Sequence, residues 1–236
     1  MEAVELQAVE EDWESALAIV AHPDDLEYGA AMAIARWTAQ GKRVVEVLAT
    51  RGEAGIQAMP PEEVGPIRSA EQVEAARIVG VDTVEFLDFP DGVLEYGLPL
   101  RRAVAGAIRR HRPDVVVSLN FRETFGPGMY NMADHRVLGR AVADAVRDAA
   151  NPWVFRDLPD PAWQGVRFAL FANAPQATHF VDVTDHVETG LRALAAHEVY
   201  FANLEGGPDP QEMVRSILAG AGEAVGVPYA VAFERL

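Results

Sequence analysis

The sequence predicts one α/β domain over residues 1–236, a mostly parallel sheet with helices on both faces. Three observations lead there. Short apolar runs of strand length alternate with segments of helical period, and the alternation repeats about four times. Half of the 236 residues are hydrophobic, enough for one full core. Neither a linker-like stretch nor an internal repeat divides the chain.

Residues 16–21 form an apolar run that stops at His22-Pro23; its brevity and the proline mark a buried strand. Residues 30–40 are Ala-rich with helical period, and Gly41 follows where a left-handed residue is tolerated. A second strand covers 44–49, and a polar loop with Gly and Pro covers 50–65. Residues 67–79 read as a helix closed by Gly80, and 83–87 as a third strand. The helix over 100–110 carries cations in its last turn, which complement its dipole. Val115-Val116-Val117 is the β-branched run of a central parallel strand. An irregular segment, 120–133, leads into a helix over 134–149. The last third is less regular, with strands over 166–172 and 178–183, helices over 187–200 and 211–219, and a late strand over 229–233.

Composition narrows the functions. A formal charge of −16, from 36 acidic against 20 basic side chains, repels phosphate backbones and argues against nucleic acid and anionic membranes as partners. Cysteine is absent, so any metal must be held by imidazole and carboxylate. The first residues lack the basic start and apolar core of a signal peptide. No apolar run approaches the ~20 residues that span a bilayer. The expected location is the cytoplasm. Self-association into a homo-oligomer is compatible with the sequence.

The chemistry concentrates at His22-Pro23-Asp24-Asp25, at the end of the first strand. In open α/β sheets ligands bind beyond the carboxyl ends of the strands. An imidazole and two carboxylates within four residues make sense mainly around a cation that offsets their repulsion. The same aspartates would also serve as caps of the following helix. A second cluster, Ala133-Asp134-His135, opens a helix after another strand, where it can face the first. Two histidines and several aspartates across a parallel sheet form a mixed N/O donor set that suits Zn²⁺ or another borderline divalent cation, with a coordination position open for water.

These residues resemble the PIG-L, or LmbE-like, deacetylase family. Its hallmark, AHPDD followed by E and G, reads here Ala21-His22-Pro23-Asp24-Asp25-Leu26-Glu27-Tyr28-Gly29. Supporting similarities are Thr50-Arg51-Gly52-Glu53-Ala54-Gly55, the Arg68-to-Gly80 helix, Arg112-Pro113-Asp114, Asp134-His135 and Ala195-Ala196-His197. The resemblance implies a Rossmann-like domain that uses zinc to remove acyl groups, typically N-acetyl, from glucosamine conjugates. Fe²⁺, Co²⁺ and Mn²⁺ suit the same donors. By position it implies His22, Asp25 and His135 as metal ligands and Asp24 as general base. Asp134 would orient a neighbouring histidine or the helix start. Arg68 and Asp91 would bind polar groups of the substrate, and Arg51 and Glu53 would line the pocket.

One departure matters. The family pattern before the last ligand is His-any-Asp-His, and this chain has Met132-Ala133-Asp134-His135. The histidine that this replaces serves the transition state, and methionine cannot donate a proton. Tyr130 matches a family tyrosine that polarises the scissile carbonyl, and His179 is the candidate general acid. The reading is a zinc-dependent N-deacetylase acting on a small amino-sugar substrate. The alternatives are an amidase or esterase on a larger conjugate, and a catalytically weakened sugar-binding homologue. His197, amid Ala and Leu, reads as a core residue.

Overall fold

The computed structural model describes residues 5–204 and 206–236. Its strands are β1 (Gln7–Ala8), β2 (Ser15–Val20), β3 (Arg43–Leu48), β4 (Thr83–Phe86), β5 (Val115–Leu119), β6 (Thr124–Gly126), β7 (Met129–Tyr130), β8 (Phe168–Ala172), β9 (His179–Asp182) and β10 (Ala230–Arg235). Its helices are α1 (Asp25–Gly29), α2 (Ala31–Ala39), α3 (Pro61–Ile78), α4 (Leu98–His111), α5 (Ala133–Ala150), α6 (Val187–Ala195), α7 (Glu198–Ala202) and α8 (Pro210–Val225).

The main sheet runs β1-β9-β10-β8-β5-β2-β3-β4. β8, β5, β2, β3 and β4 pair in parallel, as the βα alternation requires. β10 runs antiparallel between β8 and β9, and β1 adds a parallel edge to β9. β2 is buried along its whole length. Its period of two sends Ala16, Ala18 and Val20 into a core with Met32, Ile34, Trp37 and Leu191. Leu17, Ile19 and Ala21 pack in the opposite layer against Leu100, Val104, Ile108, Leu138 and Val142. A strand covered on both faces has no polar side, which is why its sequence reads as an uninterrupted apolar run.

Three segments differ from the sequence reading. The helix expected over 67–79 begins at Pro61, because a proline needs no amide partner in the first turn and Glu62 and Glu63 favour that end. The segment read as one helix over 187–200 breaks at Ala196-His197 into α6 and α7; the backbone of His197 (φ −81°, ψ 51°) leaves the helical region. The irregular segment 120–133 contains the β6–β7 hairpin, which pairs outside the main sheet. No helix among the described residues is long and apolar enough to cross a membrane.

Candidate metal centre

β2 ends at Val20, and the chain must leave the sheet edge at once to begin α1 at Asp25. Asp24 makes that turn in the left-handed region (φ 85°), which Asp and Asn tolerate better than other side chains. Its side chain makes no capping bond to α1. Asp25 instead turns back: its Oδ2 accepts from the amides of Ala21 and His22, both at 2.9 Å. That leaves Oδ1 free to face His135, whose Nε2 lies 3.0 Å away. Tight packing completes the turn. A Cβ on Gly29 would come 2.5 Å from Leu119 Cδ2, so a larger residue there requires the Leu119 side chain to move.

The two imidazoles are each anchored at the outer nitrogen. His22 Nε2 faces Asp91 Oδ1 at 3.0 Å and Asp134 Oδ2 at 3.3 Å, and so carries the proton. His135 Nδ1 lies 3.1 Å from Asn131 Oδ1, with the Asn131 amide donating to the carbonyls of Asn120 and Arg122. The inner nitrogens, His22 Nδ1 and His135 Nε2, face each other at 3.2 Å beside Asp25. A proton on either nitrogen can bridge them as an N–H···N bond, and a bound cation would take the lone pairs of both. This donor set fits a divalent metal ion, and the outer carboxylates and amide are the orienting partners that ligating histidines need. Asp134 is fixed in turn by the amides of Gly92 (2.8 Å) and Leu94 (3.1 Å), not by capping α5.

Charge around the centre is coupled. Burial alone would push Asp25 up, but His135 and His22 hold it well below the usual carboxylate range. Burial opposes the charged form of His22, and Asp25, Asp134 and Asp91 together raise it well above the ordinary histidine value. Asp24 goes the other way: burial and the adjacent Asp25 push it up to about 6 against the pull of Arg68. Arg68 Nη2 lies 3.4 Å from Asp24 Oδ1, and its guanidinium donates to the carbonyls of Pro23 and Gly52 and stacks 3.9 Å over Tyr200. Gly52 (φ 64°) lets the loop pass against that guanidinium.

Behind Asp24 lies a seam of completely buried polar side chains, Glu27, Glu46, Gln72 and His197. Gln72 Oε1 accepts from the Asp24 amide at 3.0 Å, while Nε2 donates to Glu46 at 3.0 Å and Glu27 at 3.3 Å. One amide thus anchors the left-handed backbone of Asp24. His197 Nε2 lies 3.4 Å from Glu27 Oε2, so it is a buried ion-pair partner within the core rather than an apolar-packed residue. Burial and the neighbouring Glu27 push Glu46 well above its usual value of 4.5, so in the folded protein it holds its proton. The unfolded chain releases that proton above about pH 4.5, so the native state binds more protons and stability falls as pH rises. Glu46→Gln removes the penalty, which grows by up to about 1.4 kcal/mol per pH unit. Its Tm advantage over the wild type should be larger near pH 8 than near pH 5. An equal shift at both values would show that Glu46 does not titrate on unfolding.

A cavity of about 700 Å³ opens over the centre, and His22, Asp24, Asp25, His135, Arg68 and Asp91 line it. Other sequence candidates are engaged elsewhere. Asp91, expected to meet substrate, binds His22 and accepts from the Ala54 amide at 2.8 Å. Glu53 accepts from the amides of Arg51 and Asp91, and Arg51 pairs with Asp88 and Ser69; neither reaches the cavity wall. All three hold the loop, and of them only Asp91 also lines the cavity. Tyr130 projects from the β6–β7 hairpin at 78% exposure and does not line the cavity. His179, on β9, lies against Thr178 and Arg235, also outside it, and burial together with Arg235 lowers its proton affinity. From that position His179→Ala should leave kcat within about twofold, and a hundredfold loss in steady-state turnover would keep His179 as the general acid.

Sequence reasoning missed Gln72, Asn131, Tyr28 and Tyr200. The phenols of Tyr28 and Tyr200 do line the cavity, and burial together with Asp24 raises both, keeping them protonated as donors. Only Tyr28, inside the first motif, carried a signal of position.

Fold and site together define a class, an α/β protein with a His-Asp-His donor set at the carboxyl edge of a parallel sheet. Within that class the chain belongs to the PIG-L family: the family model described as GlcNAc-PI de-N-acetylase matches residues 17–146. It is 32% identical over 197 residues to diacetylchitobiose deacetylase of Thermococcus kodakarensis, covering 80% of this chain and 71% of that protein. The solved N,N'-diacetylchitobiose deacetylase from Pyrococcus horikoshii superposes with a TM-score of 0.85 at 25% identity, over 96% of this chain and 85% of that one. GalB, the 4-carboxy-2-hydroxymuconate hydratase from Pseudomonas putida, shares the fold with a TM-score of 0.77 at 22% identity, over 94% of this chain and 96% of its own.

Proposed function

We propose that the chain is a divalent-metal-dependent N-deacetylase that removes an acyl group, N-acetyl first, from a glucosamine-type conjugate. The observation that carries this reading is the convergence of His22 Nδ1 and His135 Nε2, 3.2 Å apart, with the Asp25 carboxylate. Family membership and the deacetylase relatives support an amide as the bond and an amino sugar as the substrate class. Zinc is the proposed cation, and Fe²⁺, Co²⁺ or Mn²⁺ accept the same donors. When bound, such a cation supplies Lewis acidity toward a carbonyl and acidifies water.

Asp24 supplies the proton chemistry. It is buried, lines the cavity and stands beside the donor set without joining it. It takes the proton of the attacking water and passes it to the leaving nitrogen as the C–N bond breaks, yielding a carboxylate and a free amine. This double use answers the methionine at position 132, because no separate acid is then required. Arg68 favours the ionised form of Asp24 before the first transfer and after the second. Tyr28 and Tyr200 are the donors nearest to hand for the carbonyl oxygen, in place of Tyr130.

Met132, which lines the cavity where the family pattern carries histidine, favours a second reading, a sugar-binding homologue without turnover. The test is release of primary amine from N-acetylglucosamine conjugates, bulkier amides and esters by metal-loaded protein. Saturable hydrolysis of the acetylated sugars, ahead of the other two classes, is the expected result. Binding without release would favour the second reading, and faster ester cleavage would make the chain an esterase.

A further inference from the structure

The turn that sets the two aspartates apart hinges on one peptide unit, the bond between Pro23 and Asp24. Both of its polar groups are gripped from α3. The carbonyl accepts from Arg68 Nη2 at 2.6 Å, and the N–H donates to Gln72 Oε1 at 3.0 Å. Arg68 and Gln72 are both buried and lie four residues apart, so they share one face of the helix. The direction of that peptide plane sets φ of Asp24, here 85°. Left to itself, the backbone of an L-residue prefers the right-handed region by about tenfold, so the plane has to be held.

The Gln72 amide can sit only one way round. A backbone N–H donates and cannot accept, so the amide oxygen must face Asp24. The amide nitrogen then falls to Glu46 at 3.0 Å and Glu27 at 3.3 Å, two carboxyls that can accept from it. β3 and α1 thus lock the far side of the amide whose near side holds the turn. Asp25 has anchors of its own, the amides of Ala21 and His22, so its place in the donor set does not depend on this grip.

We propose that Gln72 is a positioning residue for the reaction: together with Arg68 it clamps the Pro23–Asp24 peptide and so keeps the Asp24 carboxylate turned to the cavity. Gln72 itself does not line that cavity, and it acts through a single N–H. The kinetic part of the proposal rests on the deacetylase reading, and the clamp rests on geometry alone.

Gln72→Met keeps the length of the side chain and removes the acceptor. In the metal-loaded variant kcat should fall about ten- to a hundredfold, with KM within about threefold and metal content unchanged. The Asp24 amide should exchange with deuterium at least about tenfold faster than in the wild type. Gln72→Met/Glu46→Leu also removes the carboxyl left without its donor, and carries the test where the single variant folds poorly. Its thermal midpoint should return toward the wild-type value while kcat stays low. Recovery of kcat together with the midpoint would make Gln72 a packing residue and overturn the proposal, as would wild-type turnover in Gln72→Met. Wild-type protein that hydrolyses no amide overturns the deacetylase reading instead. The clamp is then judged on exchange, and equal protection of the Asp24 amide in wild type and Gln72→Met overturns it.

Discussion

Asp24→Asn should lower kcat by about 10²–10⁴ while the protein keeps its full complement of metal. The argument starts from the backbone. Asp24 sits at φ 85°, a conformation that asparagine adopts as readily as aspartate, so the turn into α1 survives the change. Its amide still donates to Gln72, and Arg68 still donates to the carbonyls of Pro23 and Gly52. The donor set of His22, Asp25 and His135 is untouched. What disappears is the one cavity-lining carboxylate that stands beside that set without belonging to it and is not bound to His22. Elemental analysis and steady-state kinetics on the same preparation give the test. Turnover within fivefold of wild type at full metal content would remove Asp24 from the mechanism. Low metal content would instead make it a ligand.

Stripping the metal should abolish hydrolysis and lower the thermal midpoint, with zinc or cobalt restoring both. A cation held by His22, Asp25 and His135 binds the folded chain, in which these groups converge, and not the unfolded one. A cation at a hundredfold excess over its Kd stabilises the native state by about 2.7 kcal/mol, which in a chain of this size moves Tm by roughly 5–10 °C. His135→Ala removes one ligand and should give the stripped midpoint even with metal present. Full activity of chelated, metal-free protein would overturn the metal reading entirely.

Much of this site was written locally. His22, Asp24 and Asp25 lie within four residues of a strand end, and such an end in a parallel sheet is where ligands gather. Asp134 and His135 start a helix after another strand of the same sheet, so the pairing across β5 and β2 follows from alternation alone. The division of labour between the two aspartates was not written there. It depends on Asp25 turning back to the amides of Ala21 and His22 and on Asp24 entering the left-handed region, and both depend on how α1 packs under Gly29. Asp91, Glu53 and Arg51 looked like pocket residues because loop carboxylates and cations beyond strand ends usually meet ligand. Most of their partners lie well beyond the loop, Asp88 to Arg51 and Asp91 to Glu53 and the Ala54 amide, and no local pattern encodes that pairing.

The late strand makes the same point at the scale of the fold. Residues 229–233 announce a strand by composition, but its place between β8 and β9, and its antiparallel direction, follow only from the packing of α8. That placement brings Ala230, Val231 and Ala232 to the cavity wall. By itself, then, the sequence determined the α/β class, the edge of the sheet that carries the chemistry, and a His-Asp-His donor set, because periodicity and adjacent residues are local properties. Tertiary structure alone decided which histidine nitrogens face each other beside Asp25, which carboxylate stands outside that set, and which side chains line the cavity. Those depend on hydrogen bonds and packing between segments far apart in the chain.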